Sequence, residues 1–186
     1  MNNPHRQIAP SLWVARFAPL IADKGPVLDL ACGSGRHTRY LAERGHRVVA
    51  LDRNAEALAP LENLTGVEIV AADLENGNSW KLAGRRFAGI IVTNYLHRPL
   101  FPAIIEALAE KGILIYETFA LGNEAFGKPS NPDFLLRPGE LLEIVHGSLR
   151  IVAFEEGIID TPRPAVVQRT CAVRSGTASA LPLPLP

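Results

Sequence analysis

The stretch from Val27 to Arg44 constrains the fold more than any other part of the chain. Residues 27–31 form a short apolar run, Cys32-Gly33-Ser34-Gly35 breaks it, and residues 36–44 have a helical pattern that stops at Gly45. A strand that passes through a tight glycine turn straight into a helix belongs to a layered α/β architecture. The rhythm repeats along the chain. Residues 47–51 read as a strand ending at Asp52, with Asn54 capping a helix that runs to about Leu64. Residues 67–72 read as a third strand ending at Asp73, and strands over 88–93 and 112–118 flank a helix over 100–110. These runs are nearly continuous in apolar residues rather than strictly alternating, the pattern of strands covered on both faces. They predict a doubly wound, Rossmann-like parallel sheet with right-handed crossovers.

After Thr118 the pattern changes. A loop rich in Gly, Asn and Pro spans 120–138, a short helix follows over 139–145, and strands over 149–155 and 165–173 are joined by GIIDTPRP. That connection is too short and too proline-broken to hold a crossover helix, so the last two strands are predicted to pair antiparallel. The reading is a seven-stranded sheet, mostly parallel with a C-terminal antiparallel strand, in one domain over residues 1–174. Ahead of it, Ser11 is placed to cap an amphipathic helix carrying Leu12, Val14, Phe17, Leu20 and Ile21. With 186 residues of which 47% are hydrophobic, the chain can bury one good core. Residues 175–186, small and then alternating Leu with Pro, read as a flexible tail.

Charge narrows the partners. Lys plus Arg and Asp plus Glu are each 19, so no excess positive field exists to neutralise a phosphate backbone, and nucleic acid is not the expected partner. Cys32 and Cys171 lack metal-ligand spacing and read as reduced thiols, with no metal site. No run of about 18 apolar residues and no signal-peptide pattern occurs, which predicts a cytoplasmic protein without a membrane segment.

In a doubly wound sheet the ligand lies beyond the carboxyl ends of the strands, where strand order reverses around the first strand. Gly33 and Gly35 let the main chain of that turn approach a ligand, and the helix that follows suits an anionic group. Two ligands satisfy this, a dinucleotide through its pyrophosphate or S-adenosylmethionine (SAM) through its methionine carboxylate. The dinucleotide fingerprint wants a third glycine where Thr38 stands. Asp29, close to the glycines, would repel a pyrophosphate and could help hold a cationic amino group. Both features favour SAM over the alternative, an NAD-dependent reductase. Asp52 is placed to accept hydrogen bonds from ribose hydroxyls under either reading.

From about residue 11 to 174 the chain resembles class I SAM-dependent methyltransferases, through VLDLACGSGRHTRYLAERGHRVVALD, which looks like their first two motifs. Ala31 stands where the family often has glycine. The resemblance implies that Gly33 and Gly35 line the methionine side and that Asp52 serves the ribose, and Asp29, Ala31 and Arg53 join them as cofactor-binding candidates. It places Asp73 and Leu74 beside the adenine and Asn94 at the reactive end of the cofactor. The terminal antiparallel pair is also what separates this fold from a dehydrogenase domain. FLLRPGELLEIV is similar to the end of tellurite-resistance-type and thiopurine-type members.

Methyl transfer from a sulfonium chiefly needs alignment and exclusion of water, and a base only when the acceptor must lose a proton. The candidates for contact with the acceptor are His97 after the fourth strand and Tyr116 and Glu117 at the end of the fifth. Asn94-Tyr95-Leu96-His97 lacks the prolines of the Asn-Pro-Pro-Tyr pattern that resembles amino-group methylation of adenine or glutamine. Loop 120–138, with His97, Tyr116 and Glu117 beneath it, is predicted to form the acceptor pocket and to order on binding. A small-molecule acceptor is expected first, with RNA or protein as alternatives. Trp13 and Arg16 lie one turn apart on the first helix, which either lids the cofactor or simply packs Trp13 into the core.

Overall fold

The computed structural model describes residues 9–76 and 80–174, so the predicted tail at 175–186 lies outside the described residues. Seven strands form one sheet: β1 (Pro26–Leu30), β2 (Arg47–Asp52), β3 (Val67–Ala71), β4 (Phe87–Thr93), β5 (Leu108–Phe119), β6 (Arg150–Ile159) and β7 (Ala165–Val173). Their order is β3-β2-β1-β4-β5-β7-β6. The first five are parallel, and β7 runs antiparallel to both β5 and β6. The predicted architecture is therefore the observed one, with the order reversing at β1, whose neighbours are β2 and β4.

Side chains on a strand alternate between faces, and this divides the core into two layers. Leu28, Leu30, Ile90, Val92, Leu114 and Tyr116 face the layer made by α4 (Phe101–Ala107) and α5 (Glu140–Val145). Val27, Val48, Ile91, Ile113, Ile115 and Cys171 face the layer made by α1 (Leu12–Phe17) and α2 (Arg36–Ala42). Trp13 and Phe17 of α1 are 2% and 1% exposed, their rings 4.5 Å apart edge to face, and the Trp13 Nε1–H donates to the Thr170 carbonyl. Of the two readings left open for this helix, core packing describes Trp13, while Arg16 is paired with Glu155 at 3.4 Å.

Some segments differ in extent or form from the predicted ones, β6 for instance running on to Ile159. The helix over 100–110 is shorter, because Leu108 already pairs with Phe87 and the strand then bulges through Lys111, whose φ is 63°, before Gly112. The helix expected to reach Leu64 is α3 (Ala55–Leu58), continued by a 3₁₀ turn over Ala59–Leu61, with Pro60 in that turn. Loop 120–138 contains 3₁₀ turns at Asn123–Ala125 and Pro132–Phe134 and is tied down by side chains. Asn123 donates to the Pro129 carbonyl and accepts from the Val166 amide, while Arg98 donates to the carbonyls of Asp133 and Leu135.

Candidate active site

The turn after β1 is built on left-handed backbone. Ala31, Gly33 and Gly35 have φ of 54°, 55° and 78°. At Gly35 the constraint is packing, since a Cβ would meet the Leu61 side chain at 2.5 Å. At Gly33 a Cβ would meet nothing within 4 Å, so the main chain there faces open space, as a ligand-approaching turn requires. Ala31 explains why glycine suits its position: it holds a conformation that costs an L-residue about 1–2 kcal/mol.

Two carboxylates flank the turn, and the fold uses them differently. Asp52, at the end of β2, accepts from the Gly33 amide at 2.7 Å and from the Asn54 amide at 2.8 Å. It remains partly exposed toward a cleft of about 240 Å³ whose walls include Ala31, Arg53, Asp73, Leu74, Asn94 and Tyr95. Asp29 is 1% exposed and points under the turn, where the Thr38 hydroxyl donates to it at 2.6 Å. Burial raises its carboxyl to about 6, against the pull of Thr38. Asp29 therefore fastens β1 to α2 beneath the turn. The sequence also makes it a candidate to help hold a cationic amino group.

Asn94 lies at the hinge of the site. Its φ is 55°, a conformation asparagine tolerates, and its amide donates to the Glu117 carbonyl at 2.9 Å. It lines the small cleft and also a second cavity of about 690 Å³ on the far side. That cavity is predominantly apolar, with Leu12, Phe119, Ile159, Pro162, Ala165 and Val167 in its walls and Arg36, Glu117 and Arg169 among its polar groups.

The side-chain order at Glu117 comes from strand register. Glu117 lies opposite Arg169 in the β5–β7 ladder, and Arg169 lies opposite Glu155 in the β6–β7 ladder. Arg169 reaches Glu117 at 3.3 Å and Glu155 at 2.6 Å, and its guanidinium sits 5.0 Å from the Trp13 ring centre. Ser11 donates its hydroxyl to Glu117 at 2.8 Å, and its oxygen accepts from the Trp13 amide. The Ser11 amide donates to His37 Nε2 at 3.1 Å, so the neutral ring carries its proton on Nδ1, facing the Thr93 hydroxyl at 3.4 Å. Burial, reinforced by the Arg36 charge, lowers His37 to about 3 and keeps it neutral.

The structure brings together Ala31, Asp52, Arg53, Asp73, Leu74 and Asn94 around the small cleft, with Gly33 hydrogen-bonded to Asp52. It separates the three acceptor-side candidates. Glu117 faces the large cavity. Tyr116, one residue earlier, necessarily points to the opposite face, where it is 1% exposed beside Phe101 and donates to the Tyr95 carbonyl at 2.7 Å. Its place is support for the Asn94–Tyr95 segment. His97 lines neither cavity. Nor does loop 120–138: the large cavity is bounded by residues 9–12, the end of β5 and the β6–β7 connection at 159–163. The loop is anchored against Arg98 and β7, and its Lys128 carbonyl accepts from Arg163 of the cavity wall. Sequence reasoning passed over Ser11 as a site residue, and also Arg36, His37 and Arg169. The first depends on where the N-terminal segment docks and the last on antiparallel register. Cys32 and Cys171 are both buried, and burial pushes the Cys171 thiol up to about 12. Among the described residues no His, Cys, Asp and Glu cluster could hold a metal ion, and no helix is long and apolar enough to cross a membrane.

Comparison with known proteins supplies context for this geometry. Residues 27–112 match the family described as a methyltransferase domain. Over 79 residues the chain is 37% identical to a 2-heptyl-1-hydroxyquinolin-4(1H)-one methyltransferase of Mycobacteroides abscessus, covering 39% of this chain and 34% of that protein. The chain thus spans about a third of the length of the curated relative it matches. TehB from Haemophilus influenzae superposes with a TM-score of 0.68 at 19% identity, covering 85% of this chain and 60% of that one. A Burkholderia thailandensis 1,6-didemethyltoxoflavin-N1-methyltransferase, solved with its toxoflavin precursor and S-adenosylhomocysteine (SAH), gives a TM-score of 0.64 at 21% identity, covering 88% and 76%.

Proposed function

We propose that this chain is a class I SAM-dependent methyltransferase that methylates a small, largely apolar acceptor; the domain match over residues 27–112 and the likeness of the fold to TehB support the first part. The observation that carries the reading is the position of Asn94, which belongs to the walls of both the small cleft and the large apolar cavity. Asn94 borders both spaces, so donor and acceptor would meet beside it.

When bound, SAM supplies a methyl group on a positively charged sulfur. The remaining contributions come from the chain. Each Asp52 oxygen already takes one amide, and each keeps a second lone pair for a ribose hydroxyl. Leu74 and Tyr95 offer apolar surface for a purine, and the open backbone at Gly33 leaves room for a methionyl arm. The apolar walls of the large cavity exclude water from the acceptor. Glu117, held by Ser11 and Arg169, can orient an acceptor N–H or O–H. Alignment of this kind contributes up to about 7–11 kcal/mol to lowering a barrier.

The Mycobacteroides abscessus relative is named for a hydroxyquinolone with a heptyl chain, an acceptor of the apolar kind this cavity suits. The balanced charge of the chain gives no comparable support to RNA. Calorimetry with SAH should show one saturable site on the full chain, and SAM but not NAD should raise the melting temperature. Failure to bind either SAM or SAH would overturn the reading.

A further inference from the structure

Arg36 opens α2 and lines the large cavity together with Asn94 and Glu117. Every other cation there is committed. Arg169 is held between Glu117 and Glu155, and Arg163 donates to the Lys128 carbonyl at 3.4 Å and lies 6.0 Å from the Phe119 ring centre. The half-buried Arg36 has no hydrogen bond or ion pair among the described residues and exerts only a through-space field on Asp29 and His37. Of the carboxylates, Glu117 is matched by Arg169, Asp29 is shut beneath the turn by Thr38, and Asp160 stands exposed on the β6–β7 connection. His37 is neutral. A guanidinium on the wall of an apolar cavity, paired with no carboxylate among the described residues, is able to form a charge-assisted hydrogen bond to an anionic ligand.

We propose that Arg36 binds the methyl acceptor as an oxyanion, so that the enzyme selects acidic hydroxyl groups over neutral ones. This rests on the methyltransferase reading above and adds the chemical class of the acceptor. A positive charge beside the bound hydroxyl favours its ionised form. The proton is released to bulk water on binding. The oxyanion then supplies the electron pair that forms the new oxygen–carbon bond, while the pair of the broken carbon–sulfur bond remains on sulfur. No residue need accept a proton, and Glu117, engaged by Ser11 and Arg169, does not hold the oxyanion.

The test uses the full chain saturated with SAH and two probes whose absorption reports ionisation, 2-heptyl-1-hydroxyquinolin-4(1H)-one and 4-nitrophenol. In the wild type the bound probe should ionise about one pH unit or more below the free probe. R36Q should abolish that shift and weaken anion binding about tenfold or more, whereas R36K, which keeps the charge, should retain part of it. Calorimetry with SAH should give the same affinity for wild type and R36Q. A wild-type complex without the shift, or an R36Q complex with it intact, overturns the proposal. So does a tenfold loss of SAH affinity in R36Q with the probe shift unchanged, which would assign the guanidinium to the cofactor's carboxylate. If SAH binds and neither probe does, the Arg36 proposal fails while the methyltransferase reading stands. If SAH itself does not bind the wild type, both fail.

Discussion

The Asp52 carboxylate accepts a hydrogen bond from the Gly33 amide at 2.7 Å, joining the end of β2 to the turn after β1. With the Asn54 amide on its other oxygen, Asp52 is a three-way joint as well as a ligand candidate. Asp52→Ala should lower SAH affinity by about one to two orders of magnitude, from loss of hydrogen bonds worth about 1.5–3 kcal/mol each. Asp52→Asn should be no better. Its amide has one accepting oxygen, so its NH₂ group must face one of the two backbone N–H donors. Calorimetry on both variants checks this, and an Asp52→Asn protein with wild-type affinity would contradict it.

Ala31 holds a φ of 54° without the freedom of glycine. Ala31→Gly removes about 1–2 kcal/mol of backbone strain and adds about 0.5–1 kcal/mol of unfolded-state entropy. The expected result is a protein more stable by about 0.5–1 kcal/mol. A raised urea midpoint at unchanged slope would show it.

Stability against pH should reveal two buried groups of opposite sign. His37 is lowered from 6.5 to about 3, so its contribution is full above pH 6.5 and is lost as the pH falls toward 3, where the unfolded chain has already taken the proton. Asp29 is raised from 3.8 to about 6, so the folded protein takes the proton first and gains stability as the pH falls through that window. Between about 3.8 and 6 the two cancel. Asp29→Asn should be more stable than wild type by on the order of 3 kcal/mol above pH 6, with the difference vanishing near 3.8. It should also lose stability on acidification more steeply. Parallel denaturation curves for the two proteins at every pH would refute the assignment.

Ser11 caps α1 through the Trp13 amide and donates to Glu117. Ser11→Ala should cost about 1 kcal/mol from the lost cap. Because residues 9–12 border the large cavity, it should also weaken acceptor binding while leaving SAH affinity unchanged. Calorimetry with SAH and then with the acceptor probe separates the two effects.

The layered sheet, the succession of its elements and the glycine turn after β1 are all legible in the sequence. Those features are local: continuous apolar runs, glycines beside Asp52, Asn54 as a cap, and a proline-broken connection too short for a crossover. Alternation along β5 was equally legible, and it alone places Tyr116 and Glu117 on opposite faces. Packing, by contrast, settles which distant segments enclose the large cavity. Glu117 meets Arg169 because antiparallel register sets them opposite each other across 52 positions of sequence, and Ser11 meets Glu117 across 106. Loop 120–138 is long and polar enough to suggest a pocket, but Asn123 and Arg98 tie it down and none of its residues lines the large cavity. The cavity forms instead between the N-terminal segment and the β6–β7 connection, two stretches with no pattern in common. Non-local packing brings them together, and no periodicity in either segment records that contact.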